Sequence, residues 1–248
     1  MVLDRCANKV FDSTNTKPAS TCKSKSGNMA QTVCESLNNL GKDGKPARLG
    51  IMGGTFDPIH TGHLCCAEQA RSAFNLNAVL FVPAGSPAYK QNKKVTPAAQ
   101  RLEMCKLATK SNPAFFVSDI EIKRPGITYT IDTLKQLRMQ YPKNVELVFI
   151  TATDAAATVY KWRCAQEIAK LARIVCVSRP GCALEKQQLE ANNRQTENIN
   201  VEYIERAAVD VSSSTIRNMV KAGMSIKYLV PDEVIEYIHE QQLYETEA

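Results

Sequence analysis

The sequence predicts an α/β domain, a parallel sheet with helices on both faces. Three observations predict it. Short apolar runs alternate with segments of helical spacing through most of the chain, the pattern of parallel strands joined by crossover helices. The first apolar run ends in two glycines and a turn that leads straight into a helix. The 248 residues are enough for one buried domain of about 200 residues and an appendage.

Residues 1–46 are rich in Ser, Thr, Asn and Lys, hold few large apolar residues, and read as a flexible extension. Within them, Val33–Leu40 has the pattern of a short helix. Residues 47–248 form the domain. Arg48–Met52 is its first strand and Thr61–Phe74 its first helix. Ala78–Val82 is the second strand, and Pro83–Thr96 a polar loop. Pro97–Lys110 is a helix with proline at its start, where the missing amide costs nothing. Ala114–Ile122 is the third strand. Tyr129–Tyr141 is a helix stopped by Pro142. Val145–Thr151 is the fourth strand, and Trp162–Leu171 is helical. Arg173–Ser178 is the fifth strand, Leu184–Asn192 a helix and Ile199–Ile204 the sixth strand. Helices over Ser213–Lys221 and Pro231–Gln241 follow.

Composition excludes several classes. No apolar run approaches the roughly 18 residues of a membrane span. Net charge is +6, but residues 47–248 carry 24 Lys/Arg against 21 Asp/Glu. A body that balanced is no nucleic-acid surface on charge alone, though a few placed cations suffice for a small anion. The nine cysteines include no Cys-x-x-Cys, and several sit in apolar runs. Reduced, partly buried thiols in a cytoplasmic or nuclear compartment are favoured over a disulfide framework. No secretory core follows Met1, and a transit peptide is the minority reading of the basic extension. Gly-x-Gly-x-x-Gly and the Walker A pattern are both absent from the sequence.

The chemistry concentrates in Gly53-Gly54-Thr55-Phe56-Asp57-Pro58-Ile59-His60-Thr61-Gly62-His63. Glycines allow a backbone to approach a ligand closely. A helix start offers unpaired amides and partial positive charge, and so suits phosphate. His60 and His63 sit three apart at that start, where imidazole N–H groups can hold phosphate oxygens as charge develops. A zinc pair is the weaker reading, since no third histidine lies nearby and the Glu of a metalloprotease motif is missing. A second helix start lies at Asp210-Val211-Ser212-Ser213-Ser214-Thr215-Ile216-Arg217. Its serines suit an N-cap, and the planar fork of Arg217 suits phosphate.

The first run resembles the signature of the nucleotidylyltransferase superfamily, Gly-Gly-x-Phe-x-Pro-x-His-x-x-His. In full form it is similar to the bacterial-type nicotinate (nicotinamide) mononucleotide adenylyltransferases. The resemblance implies a Rossmann-like sheet of the nucleotidylyltransferase type. It implies that Gly53, Gly54, Thr55, Phe56, His60 and His63 bind ATP, with His60 and His63 catalytic. The second start is similar to the family's Ile-Ser-x-Thr-x-Ile-Arg, which implies that Ser212, Ser213, Ser214 and Arg217 hold the β- and γ-phosphates, Arg217 as a catalytic residue. Pro83, Pro87 and Lys90 match the family's Pro-x-x-x-Pro-Pro-His-Lys loop, with Ala88 and Tyr89 departing from it, and Lys90 would reach the mononucleotide phosphate. Thr128-Tyr129-Thr130 looks like the element lining the pyridine pocket, although Thr128 also reads as a plain N-cap. Phe149-Ile150-Thr151-Ala152-Thr153-Asp154 resembles Ile-Ile-Gly-x-Asp, so Asp154 would take the adenosine ribose hydroxyls, with Ala152 in place of Gly. Trp162 would stack on the pyridine.

What the resemblance implies is adenylyl transfer from ATP to nicotinate or nicotinamide mononucleotide, giving deamido-NAD or NAD and pyrophosphate. Mg²⁺ would be held mainly through the ATP phosphates, with no metal ligands from the protein. The partners are then two small nucleotides, with no nucleic acid and no membrane, and a homo-oligomer is left open. Adenylyl or cytidylyl transfer to another phosphate acceptor is the rival reaction. A nucleotide-binding protein without catalysis is the rival of another class.

Overall fold

Apolar residues at consecutive positions force one strand to serve two cores. In Val145–Thr151, Val145, Leu147 and Phe149 join one buried cluster while Val148 and Ile150 join another. Such a strand has to lie inside a sheet covered on both faces. The computed structural model describes residues 37, 39–87, 94–178, 187, 191, 199–205 and 209–245. Its strands are β1 (Ala47–Gly54), β2 (Ala78–Pro83), β3 (Phe115–Val117), β4 (Val145–Thr151), β5 (Arg173–Ser178) and β6 (Val201–Glu205). They form one sheet in the order β3-β2-β1-β4-β5-β6, with every pairing parallel.

The helices are α1 (Thr61–Ala73), α2 (Ala98–Thr109), α3 (Thr130–Gln140), the short α4 (Thr153–Ala156), α5 (Ala165–Leu171), α6 (Ser213–Lys221) and α7 (Asp232–Glu240). On one face, Ile131, Leu134 and Leu137 of α3 and Ile168 of α5 pack with Leu49, Ile51 and Leu147. On the other, Ala67 and Ala70 of α1, Met104 of α2, Ile216 of α6 and Ile238 of α7 pack with Val79, Phe81 and Val148. The α/β class with helices on both faces therefore holds. Ahead of β1, the side-chain amide of Asn144 donates to the carbonyls of Gly41 (2.8 Å) and Lys45 (2.6 Å), so residues 39–46 lie against the domain.

The chain runs outward from β1 to β3, then crosses back to place β4 on β1's other side. That reversal leaves a crevice past the carboxyl ends of β1 and β4. The register deepens it. Pairing with β4 ends at Met52–Ile150, while pairing with β2 runs on to Gly54–Pro83.

Three expectations need correction. The third strand stops at Val117 rather than Ile122, because residues 118–123 form turns: the Ser118 hydroxyl accepts from Ile120 N–H, and Lys123 N–H bonds to Asp119 O. Ile120 and Glu121 are buried all the same, so burial imitated a strand. The helix placed at Trp162 begins at Ala165, and Trp162 instead ends a 3-10 turn over Val159–Lys161. Thr128 is not the cap of α3; Tyr129 is, and Thr128 Oγ1 donates to Ser86 O at 3.1 Å. Of the helix expected at 184–192 only Gln187 and Ala191 are described, both helical; the rest of it, most of the one at 33–40, and the loop residues Ala88, Tyr89 and Lys90 lie outside the described residues. Among the described residues no helix is long and apolar enough to cross a membrane. Among the described residues Cys65, Cys66, Cys105, Cys164 and Cys176 are reduced thiols, and burial pushes the pKa of Cys66 up to about 12.

Candidate functional site

A cavity of about 770 Å³ occupies the crevice at the strand ends. Gly53, Gly54, Thr55 and Phe56 supply one part of its wall, with His63 and Ser213 beside them. Thr128, Thr130 and Trp162 supply another. Nine residues nominated from sequence therefore share one cavity. Gly54 has a steric reason to be glycine, because a Cβ there would stand 2.9 Å from the Phe56 ring. Phe56 takes φ +51 to fold its ring back, a conformation uncommon outside glycine.

The two histidines do different things. His60 caps α1 and is buried, 6% exposed. Its ring stacks on that of His63 with centroids 3.6 Å apart, and Phe56 meets His63 edge-on at 5.0 Å. The His60 main-chain N–H donates to His63 Nδ1 at 3.2 Å. A nitrogen that accepts cannot carry the proton in a neutral ring, so the proton of His63 sits on Nε2. His63 thus enters the cavity wall as an oriented hydrogen-bond donor. His60 does not line the cavity, and its Nδ1 is buried with no partner among the described residues.

That burial has a measurable consequence. Desolvation pushes the His60 pKa down from 6.5 to about 4. Above about pH 6.5 both folded and unfolded chains hold it neutral. As pH falls from there to about 4, the unfolded chain takes the proton first and the fold loses stability. At pH 4.5 the loss is about 2–3 kcal/mol. Urea unfolding at pH 7 and pH 4.5 should therefore show a steeper fall for wild type than for H60Q. Equal slopes in the two proteins would rule out a buried neutral His60.

The serine-rich helix start at Ser212 is fastened to the glycine-turn segment. Ser212 caps α6, its hydroxyl accepting from Thr215 N–H at 3.1 Å. Ser213 Oγ donates to Pro58 O at 2.8 Å, and Arg217 NH1 donates to Asp57 O at 2.7 Å. Arg217 NH2 reaches Ser214 Oγ at 3.2 Å. Asp57 is itself buried; its carboxylate accepts from Tyr244 Oη at 2.7 Å and from Thr96 N–H at 3.3 Å. Two helix starts 150 residues apart in sequence are thereby held side by side. Of the α6 residues, Ser213 lines the cavity, while Ser212, Ser214 and Arg217 stand outside its wall.

On the other side of the cavity, the loop after β2 is pinned to Thr128 by the Thr128 N–H and Oγ1, both donated to Ser86 O. Trp162 sets its edge against Phe149, 5.7 Å between centroids at 88°. Asp154 falls within α4, and Ala152, which replaces the family's glycine, lines the cavity. Sequence reasoning missed three charged residues in the wall. Glu121 is buried, bonded by Thr133 Oγ1 at 2.6 Å, and burial holds its carboxyl above the usual range. Lys161 and Arg163 are exposed cations flanking Trp162, and the Arg163 guanidinium lies 4.6 Å over the Tyr129 ring. Their position beside the lone tryptophan was the available signal.

A model of the cytidylyltransferase-like family matches residues 51–219. A protein of Corynebacterium kroppenstedtii named probable nicotinate-nucleotide adenylyltransferase is 48% identical over 197 residues, covering 79% of this chain and 90% of the relative. One of the same name from Thermoanaerobacter sp. is 46% identical over 198 residues, covering 79% and 94%. Among solved structures, Plasmodium falciparum nicotinic acid mononucleotide adenylyltransferase complexed with NaAD shares the fold with a TM-score of 0.65, covering 80% of this chain and 97% of that one at 17% identity. The same protein complexed with APC gives a TM-score of 0.64 at 18% identity.

Proposed function

Because the chain belongs to the cytidylyltransferase-like family and to its nicotinate-nucleotide adenylyltransferases, we propose that it transfers the adenylyl group of ATP to nicotinate mononucleotide at the cavity beyond β1 and β4. A 5′-phosphate oxygen of the mononucleotide attacks the α-phosphorus of ATP. The bond from that phosphorus to the bridging oxygen breaks, and pyrophosphate leaves with the electron pair. Deamido-NAD is the product. No covalent enzyme intermediate is required, since such transfer depends chiefly on positioning and charge neutralisation.

The observation that carries the reading is the meeting of the Gly53-Gly54 turn, His63 and the α6 start with Thr128, Thr130 and Trp162 around one space. His63 holds the α-phosphate through Nε2–H. Ser213 and Arg217 hold the leaving pyrophosphate at the start of α6, where the helix dipole favours negative charge. Asp154 takes the adenosine ribose, and Lys90 the mononucleotide phosphate. Mg²⁺ would be held mainly by the ATP phosphates, and the chemistry it would supply is neutralisation of phosphate charge. The described residues hold no group of three or more His, Cys, Asp and Glu that could cage it. The catalytic domain begins near residue 47, with residues 39–46 lying against it. Reduced thiols at five described cysteines suit a cytoplasmic setting.

Two cations in the wall, Lys161 and Arg163, favour the acid over the amide. The test is pyrophosphate release with nicotinate mononucleotide, nicotinamide mononucleotide, phosphopantetheine and phosphocholine side by side, with ATP and with CTP. ATP with nicotinate mononucleotide should give the fastest release. In R163M the preference for acid over amide should fall about tenfold, the scale of one charged hydrogen bond. Release only with phosphopantetheine or phosphocholine would overturn the assignment. An unchanged ratio in R163M would remove that arginine from acceptor choice.

A further inference from the structure

A permanently charged side chain that is not among the nominated residues is buried directly behind the cavity wall and bonded to one of them, Thr55. Arg101 stands in the first turns of α2 and is 1% exposed. A cation near a helix start opposes the helix dipole, and burying it is costly unless its donors are satisfied. Its surroundings explain the placement. Nε donates to Thr96 O at 2.8 Å, NH1 to Thr55 O at 2.7 Å, and NH2 to Ala84 O at 2.6 Å and Gly85 O at 3.1 Å. Four main-chain carbonyls from three segments thus converge on one planar fork.

Those segments have distinct assignments under the adenylyltransferase reading, on which this inference rests. Thr55 follows the glycine turn on the ATP side, and Ala84 and Gly85 begin the mononucleotide loop. Thr55 and Ala84 both line the cavity. Ala84 N–H also bonds to Gly54 O at 2.8 Å. The third segment continues the chain of contacts, since Thr96 N–H donates to the Asp57 carboxylate and the Asp57 carbonyl accepts from Arg217. Gly85 leaves no slack: a Cβ there would stand 2.4 Å from Glu121 O. A displacement of either loop would have to break bonds to the same guanidinium.

We propose that Arg101 is a positioning residue that couples the two halves of the site, so that occupancy of the ATP side orders the mononucleotide loop and the reverse. Coupling of this kind is reciprocal. Lysine cannot replace the fork, because its three donors radiate from one atom and cannot span three segments.

The experiment is calorimetric titration of nicotinate mononucleotide into the full chain, with and without α,β-methylene-ATP, for wild type and R101K. In wild type the ATP analogue should tighten the mononucleotide about fivefold or more, within the usual range of allosteric coupling. In R101K that factor should fall below about twofold while each ligand alone still binds. A merely structural arginine would lower stability and single-ligand affinity yet leave the factor intact, and that result overturns the proposal. Independent binding in wild type overturns it too. A wild type that binds neither ligand sinks the adenylyltransferase reading and this inference with it. Should R101K fail to fold, hydrogen exchange on wild type decides. Amides of residues 84–86 should slow on adding the ATP analogue alone, and no slowing refutes the coupling.

Discussion

H63A should lower kcat by about 10²- to 10³-fold, the scale of removing one preorganised donor from a site of developing charge. The reason lies in how the ring is held. His60 N–H fills Nδ1, the His60 ring lies flat against one face, and Phe56 abuts it edge-on. The donor is therefore in place before the reaction begins, and no reorientation is required when the α-phosphate gains charge. The KM for the mononucleotide should change by only about twofold, because the interaction matters mainly in the transition state. H63Q, which keeps a donor on a more flexible stem, should recover part of the loss. Steady-state rates of pyrophosphate release measure all three quantities. An H63A enzyme with near-normal kcat would exclude the residue from the mechanism.

Much of this arrangement was legible in the residues. β4 and β5 have the predicted bounds because strands buried on both faces are continuous apolar runs ended by polar turns. The glycine turn and the serine-rich start at Ser212 were legible because glycine and capping residues act locally. What stayed hidden depends on distant contacts. Spacing alone could not say that His60 would be a buried stacking partner and His63 the oriented donor, since that division follows from α1 beginning between them. Nothing in the sequence singled out Arg101, and only the convergence of Thr55, Ala84 and Thr96 makes it interior. Tyr244 was equally silent, because its bond to Asp57 spans most of the chain.

Arg217 is the side chain where a structural role and a chemical one have to be separated. Its NH1 bond to Asp57 O ties α6 to the signature loop, whatever else it does. Holding that bond leaves other donors of a five-donor group for a ligand phosphate. R217A should lose both roles, with kcat down about 10²-fold or more. R217K can restore one donor but not a fork. If the residue grips pyrophosphate, the reverse reaction tells the roles apart. With deamido-NAD and pyrophosphate as substrates, R217K should raise the KM for pyrophosphate about tenfold or more, the cost of losing one charge-assisted bond. The KM for deamido-NAD should shift far less. A purely structural arginine predicts the opposite pattern, because loosening the loop that carries Asp57, His60 and His63 would weaken both substrates together. Equal increases in the two KM values would therefore reassign Arg217 from the pyrophosphate site to the scaffold.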